Sequence, residues 1–264
     1  MGTWSDTWLL RMHPEKCKHM HIGRHQRIME GATGTYKLLG NNLMKTDKEK
    51  DIGVTIDNEL TFDNHISEKV NKANQIFGLL RRTFNFMNSK SFIPLYKSLV
   101  RTQLDYASSV WAPFKVKDID RLEAVQRRAT KSLPGMGNLI YPERLRILKL
   151  PTLSYRRARG DMIELYKMIN GIYDKEACTF IQLWKDVAER HSNRGNSKML
   201  FPQQAKTQLR SNAFKIRTVK LWNSLPESVV SAPNTNTFKN RLDKNWQNQD
   251  IVYNYKGNIT GSDP

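Results

Sequence analysis

Histidine and cysteine are concentrated near the beginning of the chain, where their side chains could bind a transition metal. The cluster consists of His13, Cys17, His19, His21 and His25. Alternating positions suit ligands on one face of a strand, and imidazole and thiolate are good zinc donors. Structural zinc sites usually pair two short ligand blocks across a loop, and the sequence contains no second block. We therefore favour surface histidines on a strand over a metal site.

The carboxylates show no arrangement typical of a catalytic centre. Nucleotidyl transfer requires paired carboxylates that hold two metal ions a few ångströms apart, and the order of the Asp and Glu residues indicates no such pair. Asp118 and Asp120 lie at a predicted helix start, where negative charge complements the helix dipole, so we interpret both as capping residues. The phosphate-binding motifs Gly-x-Gly-x-x-Gly and Gly-Lys-Ser/Thr are absent, as is the nucleophile motif Gly-x-Ser-x-Gly.

The charge balance favours a polyanionic partner. The chain carries 43 Lys and Arg against 25 Asp and Glu, a formal net charge of +18, and cations that neutralise phosphates release condensed counterions. The alternative is a basic surface that is only solvated. The candidate phosphate contacts on the predicted helices are Lys69, Lys72, Arg81, Arg82, Arg127, Arg128 and Lys131.

Aromatic residues offer a second way to hold nucleic acid. Tyr155 precedes Arg156, Arg157 and Arg159, and an exposed ring beside cations can stack on bases. The competing interpretation is that the ring packs in the core. For the tryptophans in apolar contexts we favour core packing; these are Trp4, Trp8, Trp111 and Trp222.

The residues before position 58 predict short strands and turns. A strand is expected over 18–23, and a hairpin over 36–44, with Gly40 and the two asparagines after it supplying the positive φ of a tight turn. The alternating, β-branched segment 51–57 predicts a third strand.

From residue 62 onwards the apolar residues recur with a helical period. The first long helix carries the stripe Ile66, Val70, Ala73, Phe77, Leu80 and Phe84. A second helix is predicted to begin at Ser91, with Pro94 in its first turn, and its expected buried face is Phe92, Leu95, Leu99, Gln103 and Tyr106. A third is predicted after an Asp118 N-cap, with the stripe Ile119, Leu122, Val125, Ala129 and Leu133. Further helices are expected at 142–149 and 152–170.

The later part of the chain differs in composition. Residues 190–226 contain eight Lys and Arg and no Asp or Glu, which favours either a basic, partly extended segment or a plain solvated linker. Residues 247–264 are predicted to be disordered.

Compartment and membrane association follow from simple counts. The two cysteines, Cys17 and Cys178, are too few for a disulfide framework, which indicates a reducing compartment, the nucleus or the cytoplasm. No apolar run approaches the roughly 18 residues of a membrane span, and the first residues lack the layout of a signal peptide, so no membrane partner is expected.

A series of short motifs occurs in a fixed order between residues 4 and 245. The strongest are LYK at 95–97, VR at 100–101, LDYA at 104–107, VW at 110–111, LE at 122–123 and QRRATK at 126–131. Others are WSDTW at 4–8, EKCK at 15–18, KDIGV at 50–54, LTFDNHI at 60–66, RR at 156–157, RGD at 159–161, LWNSLP at 221–226 and FK at 238–239. In this order they resemble the reverse transcriptase of non-LTR (LINE-type) retrotransposons of the jockey and chicken-repeat kind.

The resemblance implies a particular part of that RNA-directed DNA polymerase. The catalytic Asp-Asp box of the family lies just upstream of the WSDTW-like stretch, so we expect a post-catalytic fragment that is inactive alone. Lys16 matches the palm lysine that can protonate the departing pyrophosphate, and Arg101 joins the cations expected along a template–primer. Mg²⁺ is implied only for the complete polymerase, and no cofactor is expected in this chain. The implied partner is RNA or an RNA/DNA template–primer, with no small-molecule substrate bound alone.

The predicted fold class is α+β, mainly α. We expect a β-rich palm remnant with a primer-grip-like hairpin at 1–60, a helical thumb-like bundle at 61–175, a basic, partly extended region at 176–246 and a disordered tail at 247–264. Two alternatives remain open: a domesticated DNA- or RNA-binding module, and a structural or protein-interaction helical domain.

Overall fold

A computed structural model of the protein describes residues 2–9, 12–23, 36–84, 86–187 and 195–260. The fold is mainly helical with a few short strands, which confirms the predicted α+β, mainly α class. The chain divides into two compact units, Met1–Ser67 and Glu68–Pro264.

The first unit contains one short helix and the strands. Its elements are α1 (Gly2–Thr7), a 3₁₀ turn (Pro14–Lys16), β1 (Lys18–His19), β2 (Lys37–Leu38), β3 (Asn41–Asn42), β4 (Met44–Lys45), β5 (Lys48–Asp51) and β6 (Val54–Asp57). Within the described residues these strands form three two-stranded sheets: β1 pairs with β4 in parallel, whereas β2–β3 and β5–β6 are antiparallel.

Two left-handed turns define the antiparallel hairpins. Leu39 and Gly40 have φ of 49° and 82°, and Ile52 and Gly53 have φ of 40° and 78°, as a two-residue turn of type I′ requires. The predicted hairpin at 36–44 is therefore confirmed, but its positive φ values belong to Leu39 and Gly40, whereas Asn41 and Asn42 form β3. The single strand predicted over 51–57 is wrong because the turn at Ile52–Gly53 divides that segment between β5 and β6. The strand predicted over 18–23 is confined to Lys18–His19.

The carboxylate of Asp57 organises the loop that follows β6. It accepts hydrogen bonds from the backbone N–H groups of Thr61 at 2.9 Å and Phe62 at 2.6 Å. Leu60 and Phe62 both have positive φ, 54° and 57°. Backbone donors directed at one carboxylate offset the strain of this conformation.

The second unit is built from helices. They are α2 (Asp63–Thr83, which begins within the first unit), α3 (Ser89–Leu95), α4 (Arg101–Asp105), α5 (Ser108–Trp111), α6 (Val116–Lys131), α7 (Tyr141–Leu148), α8 (Leu153–Ile169), α9 (Trp184–Val187), α10 (Gln208–Ser211), α11 (Phe214–Asn223), α12 (Glu227–Val230) and α13 (Thr235–Trp246). A π-helical turn (Tyr96–Val100) joins α3 to α4, and 3₁₀ turns lie at Glu176–Cys178 and Asp250–Val252.

The long helices follow their predicted stripes with local corrections, one of which is that Phe84 lies beyond the end of α2 and is exposed. On α6, Leu122, Val125 and Ala129 are buried as expected. The N-cap of α6 is Lys115 rather than Asp118. Asp118 lies in the first turn, is buried and accepts a hydrogen bond from Arg121 Nη1 at 3.2 Å, so its negative charge still faces the positive end of the helix.

The second predicted helix buries a different face from the one expected. Phe92 is buried as expected, but Leu99 and Tyr106 are exposed, and the buried residues are Tyr96, Val100 and Leu104. The buried positions recur every four residues because the π turn at Tyr96–Val100 accommodates more residues per turn than an α-helix does. The helix also begins at Ser89, which places Pro94 in its second turn rather than its first.

Most of the region predicted as partly extended is helical. From Gln208 onwards, α10 to α13 account for much of the chain, and their apolar residues pack with those of α8. The buried side chains of this core include Met162, Leu165, Tyr166, Val219, Trp222, Phe238, Leu242 and Trp246. The sequence did not predict this core, because the many basic residues of the region obscure the helical period of its apolar residues. The extended conformation is local: Trp184 N–H donates to Met199 O at 2.9 Å, and Phe201 N–H to Gln182 O at 2.8 Å.

The segment after α13 is also ordered as far as residue 260, in contrast to the prediction. Thr152 N–H donates to Val252 O at 2.9 Å and Thr152 Oγ1 to Ile251 O at 2.6 Å. These bonds fix the segment at the start of α8, so the predicted disorder is wrong for 247–260. Residues 261–264 lie outside the described part of the chain.

Candidate nucleic-acid interface

The cations predicted to bind nucleic acid fall into two structural groups. Lys72, Arg81, Arg82, Arg128 and Lys131 are exposed, with Lys69 half-buried. Arg101, Arg127, Arg156, Arg157 and Arg159 are half-buried or buried and are bound within the protein. Only the first group is open to a phosphate backbone in this conformation.

The exposed side of α6 carries a regular row of cations. Lys117, Arg121, Arg128 and Lys131 recur at positions i, i+4, i+11 and i+14, which a helix places on one side. Sequence reasoning identified only Arg128 and Lys131; the helical spacing to Lys117 and Arg121 was the signal that could have revealed the others.

A hydrogen bond joins this row to α2. Arg128 Nη1 donates to Asn74 Oδ1 at 3.0 Å, and Arg81 lies two helical turns after Asn74, on the same side of α2. We call Arg81, Lys117, Arg121, Arg128 and Lys131 together the basic face.

The acidic residues of α6 compensate little of this charge. Asp118 and Glu123 are buried, and Asp120 accepts the hydroxyl of Tyr255 at 2.7 Å. Asp118 pairs with Arg121, whereas the partner of Arg128 at Asn74 is a neutral amide. The basic face therefore presents a surplus of positive charge to solvent.

Three of the predicted cations on α2 do not join the basic face. Lys69 Nζ lies 5.6 Å from the centre of the Tyr106 ring. Lys72 is exposed but lies two residues before Asn74, which places it on the opposite side of α2. Arg82 is exposed as well and lies about 80° around the helix from Asn74, at the edge of the basic face.

Carboxylates hold the arginines of α4 and α8. Asp105 accepts Arg156 at 2.8 Å and lies 3.6 Å from Arg101, and Asp243 receives both Nε and Nη2 of Arg159 at 2.5 and 2.8 Å. The carboxylates of Asp105 and Asp243 offset most of the positive charge of these guanidiniums, so the arginines would attract a phosphate only weakly. We call Arg101, Arg156, Arg157, Arg159 and Arg217 the inner arginine cluster.

Tyr155 is a core residue rather than an exposed stacking platform. The residue is 6% exposed. Its ring meets that of Trp246 edge to face at 6.0 Å, and its hydroxyl donates to Asp243 at 3.3 Å. Burial, together with the nearby negative charge of Asp243, raises the pKa of Tyr155 to about 12. A buried ring cannot stack on a base, so the core-packing interpretation is correct here. Trp111 and Trp222 are likewise buried, whereas Trp8 is exposed, and the side chain of Trp4 lies outside the described part of the structure.

Arg127 holds the segment that follows α13 against α6. Its guanidinium lies 5.5 Å from the Tyr141 ring and 5.4 Å from the Tyr255 ring, and Nη2 donates to the Tyr255 hydroxyl at 2.9 Å. These cation–π contacts and the hydrogen bond give Arg127 a structural role.

The histidine-rich segment of the first unit contains ring contacts. His19 and His21 lie 4.8 and 5.5 Å from the ring of Tyr36; His25 lies outside the described residues. Within the ranges that the structure describes, no group of three or more His, Cys, Asp or Glu side chains could hold a metal ion. Lys16 is exposed at the end of the 3₁₀ turn.

Comparison with known proteins provides no family for this chain. No protein-family model, no curated protein and no solved structure matches it. Among the described helices, none has the length and apolarity needed to cross a lipid bilayer.

Proposed function

We propose that the helical unit binds the sugar–phosphate backbone of RNA, or of an RNA/DNA template–primer, through the basic face. The observation that carries this proposal is the row of cations on α6, continued by Arg81 on α2. Arg121 of this row pairs with Asp118, but the partner of Arg128 is the neutral amide of Asn74. The resemblance to non-LTR reverse transcriptases supports the same class of ligand and a derivation from the region that follows the catalytic box, with residues 1–60 as a palm remnant.

The dimensions of the basic face suit a nucleic-acid strand. Lys117 and Lys131 are separated by about 21 Å along the helix axis at about 1.5 Å per residue. This length corresponds to about six nucleotide steps at about 3.4 Å per step. Cations distributed over that distance can contact several successive phosphates, and phosphate contacts position a strand without reading its sequence. This role requires no catalytic residue, and the proposal includes none.

The salt dependence of binding tests the proposal. The affinity for a labelled single-stranded RNA of 30 nucleotides is measured between 50 and 200 mM NaCl for the wild type and for the triple variant Arg81→Gln/Arg128→Gln/Lys131→Gln. Each lost phosphate contact lowers the slope of log K against log salt by about 0.7 for a single strand, so a decrease of about 2 is expected.

A matched variant separates the basic face from net charge. The substitutions Lys206→Gln/Arg210→Gln/Lys220→Gln remove the same charge from exposed residues around α10 and α11, and the slope is expected to remain near the wild-type value. An equal decrease of the slope in both variants would show that RNA binding depends on the overall charge of the protein and not on the basic face. A decrease in the matched variant alone would transfer the site to the basic segment at 190–226.

A further inference from the structure

Two exposed phenylalanines lie directly after α2, close to the cations at the end of that helix. Phe86 is 98% exposed, the largest fraction among the bulky apolar side chains of the described residues, and Phe84 is 43% exposed. A lone exposed apolar side chain is common on protein surfaces, so the surroundings of the two rings decide what they can bind.

The helices on either side of the two rings are anchored in the protein. Phe84 N–H donates to Leu80 O at 3.0 Å, which continues the hydrogen bonding of α2 by one residue beyond its end. The nearest phenylalanines on α2 and α3, Phe77 and Phe92, are buried. Burial of these two rings fixes the helices, whereas the rings of Phe84 and Phe86 remain available at the surface.

The sequence around the two rings carries only positive charge. Between Lys69 and Leu104 it contains seven Lys and Arg and no Asp or Glu. Arg81 and Arg82 precede the rings, Lys90 follows them, and all three are exposed. Apolar rings among exposed cations favour a ligand that is negatively charged and has apolar faces of its own.

Phe84 is a neighbour of the basic face. It follows Arg81 by three residues, and residues three apart are adjacent on the surface of a helix. Phe86 lies within about 7 Å of Phe84 along the chain, at about 3.3–3.6 Å per residue. A strand whose phosphates contact Arg81 can therefore place its bases on these rings.

Aromatic rings beside cations are the usual composition of a site for single-stranded nucleic acid. The rings stack on the bases, and the cations follow the phosphates. An unpaired strand can turn its bases onto aromatic side chains, whereas the bases of a duplex are stacked on one another and leave no free face. The two phenylalanines therefore distinguish between these two forms of RNA, which phosphate contacts alone do not.

We propose that Phe84 and Phe86 stack on unpaired bases of the RNA that the basic face holds, so that the helical unit prefers single-stranded RNA to a duplex. This inference rests on the proposed function, because the phosphate contacts of the basic face bring the strand to the rings. The contact tolerates any sequence, since every base has a π-face.

The variant Phe84→Leu/Phe86→Leu removes both rings and keeps both side chains apolar. Its affinity for the single-stranded RNA of 30 nucleotides is expected to fall at least about fivefold for each base that loses its stacking partner. Its affinity for the same RNA in a duplex with the complementary strand is expected to stay at the wild-type value. The salt slope should not change, because no phosphate contact is lost.

Two further variants serve as controls. Phe84→Trp/Phe86→Trp keeps two aromatic rings and is expected to bind the single strand at least as tightly as the wild type. Phe180→Leu changes another exposed phenylalanine, in the segment between α8 and α9, and is expected to leave the affinity unchanged.

Wild-type affinity for the single strand in folded Phe84→Leu/Phe86→Leu would overturn the stacking site, and so would an equal loss for the single strand and the duplex. If the double variant does not fold, Phe86→Leu, at the most exposed position, decides in its place. The failures of the two proposals are distinguishable. The triple variant of the basic face tests the salt slope, whereas the ring variant tests single-strand affinity at an unchanged slope.

Discussion

The basic face and the inner arginine cluster contain the same residue types, yet the fold uses them in opposite ways. Arg128 meets the amide of Asn74 and remains exposed, whereas Arg159 meets a carboxylate, Asp243, that lies 84 residues later in the chain. The difference arises from the element opposite each cation, which local sequence does not specify. Charge composition alone therefore overstates the surface available to a polyanion.

The comparison is tested most strongly at Arg217, the most extensively bonded member of the inner cluster. Besides its two bonds to Asp161, it donates to Ser109 O at 2.8 Å and to Asn212 O at 3.0 Å. We expect Arg217→Gln to lower the free energy of unfolding by about 3 kcal/mol, because breaking a largely buried pair leaves Asp161 uncompensated. Urea unfolding measures this loss.

A double variant separates the effect of leaving Asp161 unpaired from the effect of losing the Arg217 side chain. In Arg217→Met/Asp161→Leu neither charge is left alone, and most of the lost stability is expected to return. A loss below about 1 kcal/mol in the single variant would instead place Arg217 among exposed ion pairs and remove the distinction between the two groups.

Glu123, a buried carboxylate near the inner arginine cluster, is expected to make the free energy of unfolding depend on pH. Burial raises its pKa above the ordinary 4.5, although the hydrogen bond from Tyr141 opposes the change. The folded protein therefore retains a proton at pH values where the unfolded chain has lost it. Its stabilising contribution is full below pH 4.5 and is lost as the pH rises through the raised pKa.

Comparison of the wild type with Glu123→Gln isolates this contribution. The difference in unfolding free energy, wild type minus variant, is expected to be largest near pH 4 and to fall as the pH rises. Asp161, whose pKa burial also raises, is present in both proteins and cancels. A difference that increases with pH would mean that Glu123 is stabilised as the charged form.

The smallest effect on stability is expected on the basic face. Arg81→Gln/Arg128→Gln/Lys131→Gln changes exposed side chains without a carboxylate partner among the described residues, so its unfolding free energy should stay within about 0.5 kcal/mol of the wild-type value. Thermal and urea unfolding check this. A loss of 2 kcal/mol or more would show that these cations support the fold, and reduced RNA binding could then not be assigned to lost contacts.

The sequence predicts elements whose apolar period is undisturbed. Leu122, Val125 and Ala129 follow the helical period and are buried, and α8 begins one residue after the predicted start, with Thr152 as its N-cap. Local rules suffice here because one side of each helix is apolar.

The sequence predicts less where partners come from distant segments. Val100 and Leu104 continue the buried face of Phe92 because the π turn at Tyr96–Val100 changes the helical period. The burial of Arg157 and the use of Arg127 by Tyr255 depend on elements brought together by the tertiary structure. Three of the five residues of the basic face, Arg81, Arg128 and Lys131, were accordingly predicted as phosphate contacts, but the hydrogen bond that brings α2 beside α6 could not be predicted.

The bonds of Thr152 also determine when the helical unit can be completed during synthesis. Thr152 Oγ1 bonds to Ile251, which is 99 residues later, and ribosomes add about 5–20 residues per second. The start of α8 therefore lacks its partner for about 5–20 s after Thr152 has been added to the nascent chain. During that interval the hydroxyl and N–H of Thr152, and the ring of Tyr141 with Arg127, lack the contacts that Ile251, Val252 and Tyr255 later supply. Closure of the helical unit therefore has to wait until the segment that follows α13 has been synthesised.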